Sequence, residues 1–149
     1  SVVPLFFKQK INKCFTITDE NMTRFTLTLD QAINFVLNSA SIMIGGEIFV
    51  PKLKSYKILQ LAKCIDENCD IKITGIRPGE KLNESMISSC ESYKTLIKDE
   101  YYVVLPEIKI SKDYNSKYGN LYRQANIEYN SGENELIEND DLRNIINNL

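Results

Sequence analysis

Two arginines stand in similar local settings along this 149-residue chain. Arg24 enters an alternating stretch straight after the polar turn Asp19-Glu20-Asn21, and Arg77 leaves another straight before Pro78-Gly79. Guanidinium is the side chain whose planar fork matches phosphate oxygens in paired hydrogen bonds, and strand ends in α/β folds border ligand crevices. A helix starting near Glu80 adds the partial positive charge of its free amides beside Arg77. The pair predicts a diphosphate clamp. Taken singly, each arginine fits a surface ion pair as well.

Other chemistries are excluded by what is missing. There is no histidine, so Ser-His-Asp, Cys-His and His-metal sites have no place in this segment. Cys64 and Cys69 match no common zinc or redox spacing, and zinc without histidine needs three or four thiolates or carboxylate help. Cys14, Cys64, Cys69 and Cys90 therefore read as reduced thiols of a cytoplasmic protein, with no metal expected. Neither G-x-G-x-x-G nor G-x-x-x-x-G-K-[ST] occurs, so no cofactor is expected to bind this chain alone. The carboxylate pairs Asp19/Glu20 and Glu80/Glu84 fall in a turn and at an expected helix start, where such residues serve as caps or solvated surface. With 43% hydrophobic residues, 26% charged and a net charge of −2, the chain has no field that recruits nucleic acid or an anionic membrane. Its longest near-apolar run, residues 40–50, is too short for a bilayer and contains Gly45-Gly46 and Glu47. Residues 1–20 carry no charged leader or cleavage pattern.

The elements that must position these residues alternate between helix and strand, which is an α/β pattern. Residues 2–11 read as a helix with Val3, Phe6, Phe7 and Ile11 near one face. So abrupt an apolar start suggests that residue 1 is a cut inside a larger protein. Residues 15–18 and 24–28 alternate as strands. Thr28 and Gln31 form a capping box for a helix to about Ala40, with Leu29, Ile33, Val36, Leu37 and Ala40 on one stripe. After Gly45-Gly46 comes a short strand, residues 47–50, ended by Pro51. Ser55 is expected to cap a helix whose Ile58, Leu61, Ala62 and Ile65 face the core. Ile71 and Ile73 mark the strand that delivers Arg77, and residues 101–105 a further strand closed by Pro106. Residues 111–135 are polar and tyrosine-dotted, with a loop at 130–134 and the option of an extended run across a partner. Asn139 or Asp140 caps a last helix with Leu142, Ile145, Ile146 and Leu149 on its apolar side.

"SVVPLF", "ITDENMTRFTLTLDQAINFVLNS", "GGEIFVPKL", "IKITGIRPGEKLNESMI" and "YYVVLP", in that order, resemble the C-terminal part of the UDP-N-acetylglucosamine 4,6-dehydratases of bacterial surface-sugar biosynthesis. These are extended short-chain dehydrogenase/reductase enzymes of the CapE-like polysaccharide biosynthesis group, and the wording is nearer to the inverting, 5-epimerising members. The resemblance divides the chain into a nucleotide-sugar-binding portion, 1–106, and a C-terminal extension, 107–149. It makes Arg24 and Arg77 the diphosphate ligands and Val2, Pro4, Ile17 and Thr18 the uridine-side wall. Glu80 is then a candidate for the ribose hydroxyls, the alternative being a first-turn carboxylate that stabilises a helix dipole. Two positions depart from the family pattern: Thr26 stands where tryptophan is usual and Asn83 where histidine is.

The resemblance also implies what lies elsewhere. The glycine-rich NADP-binding Rossmann unit, the Tyr-x-x-x-Lys pair and the acidic group that handles the C5 proton precede the matched region in the family, so this chain is expected to lack them and to be inactive alone. NADP belongs to the full-length family. Expected partners are a UDP-sugar, the missing Rossmann half or a separate chain carrying it, and further copies in a homo-oligomer, with neither nucleic acid nor membrane. Two other readings stay open: a non-catalytic UDP-sugar-binding or regulatory module, and a structural or interaction protein.

Overall fold

The computed structural model describes residues 2–106, 118, 123–124 and 126–148. They fall into two compact units, one drawn from Ser1–Thr26, Lys54–Glu84 and Ser131–Leu149, the other from Leu27–Leu53 and Ser85–Asn130.

In the first unit, helix α1 (Val2–Lys10) buries Phe6 completely. The Phe6 ring lies 5.1 Å from that of Phe15 in strand β1 (Cys14–Ile17). Within β1 burial alternates, Phe15 and Ile17 inward and Cys14 and Thr16 half-buried, which is the period of two that an alternating sequence dictates. The Gln9 side chain grips Thr16 from both sides, accepting from its backbone N at 2.9 Å and donating to its Oγ1 at 2.6 Å, and so fixes the helix-to-strand corner. Strand β2 (Thr23–Phe25) pairs antiparallel with β4 (Ser55–Lys57). Helix α3 (Ile58–Ile65) follows at once and buries Ile58, Leu61, Ala62 and Ile65, the i, i+3, i+4, i+7 set read from the sequence. Strand β5 (Asp70–Ile73) returns parallel to β1, pairing Ile17 with Ile73. The last helix, here α5 (Asn139–Asn147), adds Leu142 and Ile146 to a core shared with Phe6, Phe15, Leu61 and Ala62.

Ser55 is not a helix cap. It lies inside β4, fully buried, with its N donating to Glu135 O and its carbonyl accepting from Ile137 N. Its hydroxyl accepts from Asn134 Nδ2 at 3.0 Å. The incoming 131–137 segment captures these groups before a helix can use them, and α3 starts three residues later with Lys57 in the N-cap position. The last helix likewise begins one step earlier than read, with Glu138 before its first turn.

In the second unit, helix α2 (Leu29–Ile42) opens on the expected capping box: Thr28 Oγ1 accepts from Gln31 N and Gln31 Oε1 accepts from Thr28 N. Its stripe is not buried, since Leu29 is 75% exposed, Val36 63% and Leu37 64%. Strands β3 (Ile48–Pro51), β7 (Thr95–Ile97), β8 (Tyr101–Val104) and β9 (Arg123–Gln124) make an antiparallel sheet in the order β3-β8-β7-β9. A separate pair joins β6 (Ser85–Ile87) to β10 (Tyr129–Asn130), and α4 (Ser89–Ser92) links β6 to β7. Residues 111–117, 119–122 and 125 of the tyrosine-dotted stretch, on which its extended path across a partner depends, lie outside the described residues, as does Leu149.

Candidate functional site

Parallel pairing puts the carboxyl ends of β1 and β5 side by side, and the chain's candidate ligand residues leave from that edge. Thr74 seals it by donating from its N at 2.9 Å and from its Oγ1 at 3.2 Å to Ile17 O. Thr18 follows Ile17. Its hydroxyl lies 3.2 Å from Met22 Sδ and 3.5 Å from Glu80 Oε1.

Residues 77–84 form no helix. Pro78 and Gly79 make a turn in which Gly79 sits at φ +81°, a backbone state that suits glycine. Glu80 N donates to Arg77 O at 3.0 Å, and Glu80 Oε2 accepts from Arg77 N at 3.2 Å. Glu80 therefore closes its own turn with its carboxylate, and the helix-dipole alternative falls with the helix. The chain then runs without regular structure into β6, which pairs with β10 and so does not supply the i→i−4 bonds a helix needs. The positive field expected from helix amides beside Arg77 is correspondingly absent.

The two arginines differ in what they already hold. Arg24 Nη1 donates to Thr23 O at 2.7 Å and Leu82 O at 3.1 Å, and Nη2 donates to Lys81 O at 3.0 Å. Its Nε lies 3.4 Å from Glu84 Oε1. Of five guanidinium N–H groups, these contacts leave one on Nη2. Arg24 is thus a staple across residues 81–84, with a single donor to spare. Arg77 is exposed, and its side chain makes no hydrogen bond or ion pair with any described residue. Its whole fork is available to a ligand. Opposite Arg24 on β4, Tyr56 is half-buried, and that burial pushes its hydroxyl above the ordinary range while the Arg24 charge pulls the other way.

The structure brings together Thr18, Glu80 and the backbone of Arg77 by direct hydrogen bonds, and attaches Arg24 to the same segment four residues further on. Ile17 contributes its carbonyl to the strand edge, while its side chain is buried in the core. Val2 packs against that same core from α1 and Pro4 is exposed. Among the described residues, neither is joined to Thr18, Arg24, Arg77 or Glu80 by a hydrogen bond. Thr23, Ser131 and Gly132 underlie the 82–84 end of the 77–84 segment, to which Asn83 itself belongs; of the four only Asn83 stood out in the sequence, as a departure from the family pattern. They come from three separate stretches of chain, and no local pattern links them. Among the described residues, no group of three or more Cys, Asp or Glu could hold a metal ion.

The first unit thus carries Arg77 on a turn that follows two parallel strands at their carboxyl ends, within an α/β chain. Residues 1–106 match the polysaccharide biosynthesis protein family, and the chain belongs to it. It is 49% identical over 117 residues to a UDP-N-acetylglucosamine 4,6-dehydratase (inverting) of Campylobacter jejuni, an alignment covering 76% of this chain and 35% of that protein. It is 35% identical to the capsular polysaccharide biosynthesis protein CapD of Staphylococcus aureus, over 68% of this chain and 18% of that one. The X-ray structure of Pen from Bacillus thuringiensis superposes with a TM-score of 0.81 at 31% identity, covering 99% of this chain and 45% of that chain. The chain thus spans about a third of the dehydratase it matches.

Proposed function

We infer that this chain is the nucleotide-sugar-binding portion of a UDP-N-acetylglucosamine 4,6-dehydratase of the inverting, 5-epimerising type, serving bacterial surface polysaccharide synthesis. Residues 1–106 supply the grip and 107–149 the extension. Arg77 meets the diphosphate with its uncommitted fork, and Arg24 adds charge and one donor while it holds the loop. Glu80 Oε1, held by the described residues only through the 3.5 Å contact to Thr18, meets the ribose hydroxyls. Thr18 and the exposed Pro4 line the uridine side, with Ile17 and Val2 packed into the core behind them. The single observation that carries this reading is the free guanidinium of Arg77 on a turn anchored to the carboxyl end of β1.

NADP is the cofactor of the proposed enzyme and supplies hydride exchange when bound. The residues here do not fit it, since no glycine-rich strand-to-helix turn occurs among the six glycines. Its binding unit and the proton-transfer groups are assigned to a Rossmann portion on a longer or separate chain, in a cytoplasmic homo-oligomer. What this chain's own residues do is bind and orient the diphosphate.

Calorimetric titration with UDP, uridine and UDP-N-acetylglucosamine tests the reading. The expected result is UDP binding weaker than micromolar, short of about −8 kcal/mol, lost in Arg77→Ala and absent for uridine. Equal binding of UDP and uridine overturns the diphosphate grip. A 4-keto sugar formed by the purified chain with NADP overturns the assignment of turnover to the remaining portion.

A further inference from the structure

Beneath the 77–84 segment lies a buried polar network whose members are far apart in sequence. Thr23 Oγ1 is 2.8 Å from Asn83 Oδ1 and 2.7 Å from Ser131 Oγ. Thr23 is 4% exposed and Ser131 0%. Ser131 Oγ accepts from Glu84 N at 2.9 Å, Ser131 N donates to Glu84 O at 2.8 Å, and Thr23 N donates to Leu82 O at 3.1 Å. A hydroxyl has one proton to give. Thr23 gives its proton to Asn83 Oδ1, which can only accept, so Ser131 must give its own to Thr23. The chain of donors then runs one way, Glu84 N to Ser131 to Thr23 to Asn83, with every link satisfied. A Cβ at position 132 would lie 2.5 Å from Asn83 Nδ2, so Gly132 is what leaves Asn83 room to end this chain.

Hydrogen-bonded networks in low dielectric hold one geometry, because a shifted arrangement leaves buried polar atoms unpaired. The segment above has no helix or sheet ladder of its own between Arg77 and Glu84. We propose that Thr23, Asn83 and Ser131 are positioning residues that hold residues 77–84 in the conformation presenting Arg77 and Glu80 to the ligand. This rests on the nucleotide-sugar reading for the ligand, but not for the loop. The C-terminal 131–134 stretch thereby acts on a site from which it is distant in sequence.

The test compares Thr23→Val, Thr23→Ser and Asn83→Ala with the parent chain by amide hydrogen exchange and by UDP titration, each variant first checked for a folded circular dichroism spectrum. Thr23→Val and Asn83→Ala are expected to speed exchange across residues 79–84 and to weaken UDP binding about tenfold, the loss of one buried hydrogen bond. Exchange in β1 and β5 stays as in the parent. Thr23→Ser, which keeps the hydroxyl, restores both readouts. Should Thr23→Val fail to fold, Asn83→Ala decides, since that side chain is half-buried and at the end of the network. Unchanged exchange over 79–84 in the folded variants overturns the proposal, whatever the parent binds. Faster exchange together with no UDP binding by the parent supports the loop's fixation and overturns the ligand reading instead.

Discussion

At the scale of single residues, equal formal charge conceals unequal roles. Arg24 spends four of its five donors on protein oxygens, so Arg24→Ala strips partners from the carbonyls of Lys81 and Leu82 and from Glu84. A loss of about 2 kcal/mol follows for hydrogen bonds from a charged donor, visible as a lowered melting temperature. Arg77→Ala removes an exposed, unpartnered side chain. It should leave the melting curve within about 0.5 kcal/mol of the parent while abolishing UDP binding. The reverse ranking in thermal melts would contradict the assignment of staple and ligand. The sequence made both arginines legible as a pair, because residue type and flanking turn are local properties. It could not distinguish them, because three of the four oxygens that occupy Arg24 belong to residues more than fifty positions away.

Glu47 is a residue-scale case of a different kind. Burial alone raises its pKa, but the amides of Ile44 and Gly45 at 2.5 and 2.7 Å and the Tyr118 hydroxyl at 2.9 Å outweigh that, and hold the carboxyl at about 2 against an ordinary 4.5. The folded-state value is depressed, so its stabilisation is complete above 4.5 and is lost as pH falls toward about 2. Melts of Glu47→Gln and the parent should therefore differ by a constant amount above about pH 5 and converge below it. A difference that grows on acidification would refute the sign.

At the scale of elements, what was legible depended on whether the forming interactions were local. The Thr28/Gln31 box needs residues three apart, and it formed as read. Thr28→Ala should cost about 1 kcal/mol, measured by chemical denaturation. Ser55 and Glu80 carried equally good helix-start chemistry, but distant or turn-closing partners claimed it first. Ser55 went to residues 134–137, and Glu80 to the amide of Arg77. The positive φ of Gly79 could not be read from Pro-Gly alone, because a Pro-Gly pair precedes helices as well as tight turns. Gly79→Ala should strain that turn by about 1 kcal/mol. The same variant weakens UDP binding if Arg77 depends on the turn, and a variant with parent affinity would show that the guanidinium reaches its ligand by side-chain freedom alone.

At the scale of the whole molecule, hydrophobic pattern and burial part company. Helices α2 and α3 both carry apolar residues at helical spacing, yet α3 buries Ile58, Leu61, Ala62 and Ile65 whereas α2 buries none of its residues. Periodicity reports which face of a helix is apolar; it does not report whether anything in the same chain covers that face. The difference is measurable. Leu61, 1% exposed, sits among Phe6, Phe15 and Ile146, so Leu61→Ala should cost about 2–5 kcal/mol through lost contacts and the cavity left behind. Val36 is 63% exposed, so Val36→Lys forfeits little burial and should shift stability by no more than about 0.5 kcal/mol. Denaturant titrations of the two variants place them at opposite ends of the scale if α2's stripe is unburied in the isolated chain. A Val36→Lys loss approaching that of Leu61→Ala would mean that the stripe is covered in solution, by this chain or by another copy, and repeating the titration across protein concentrations separates those two outcomes.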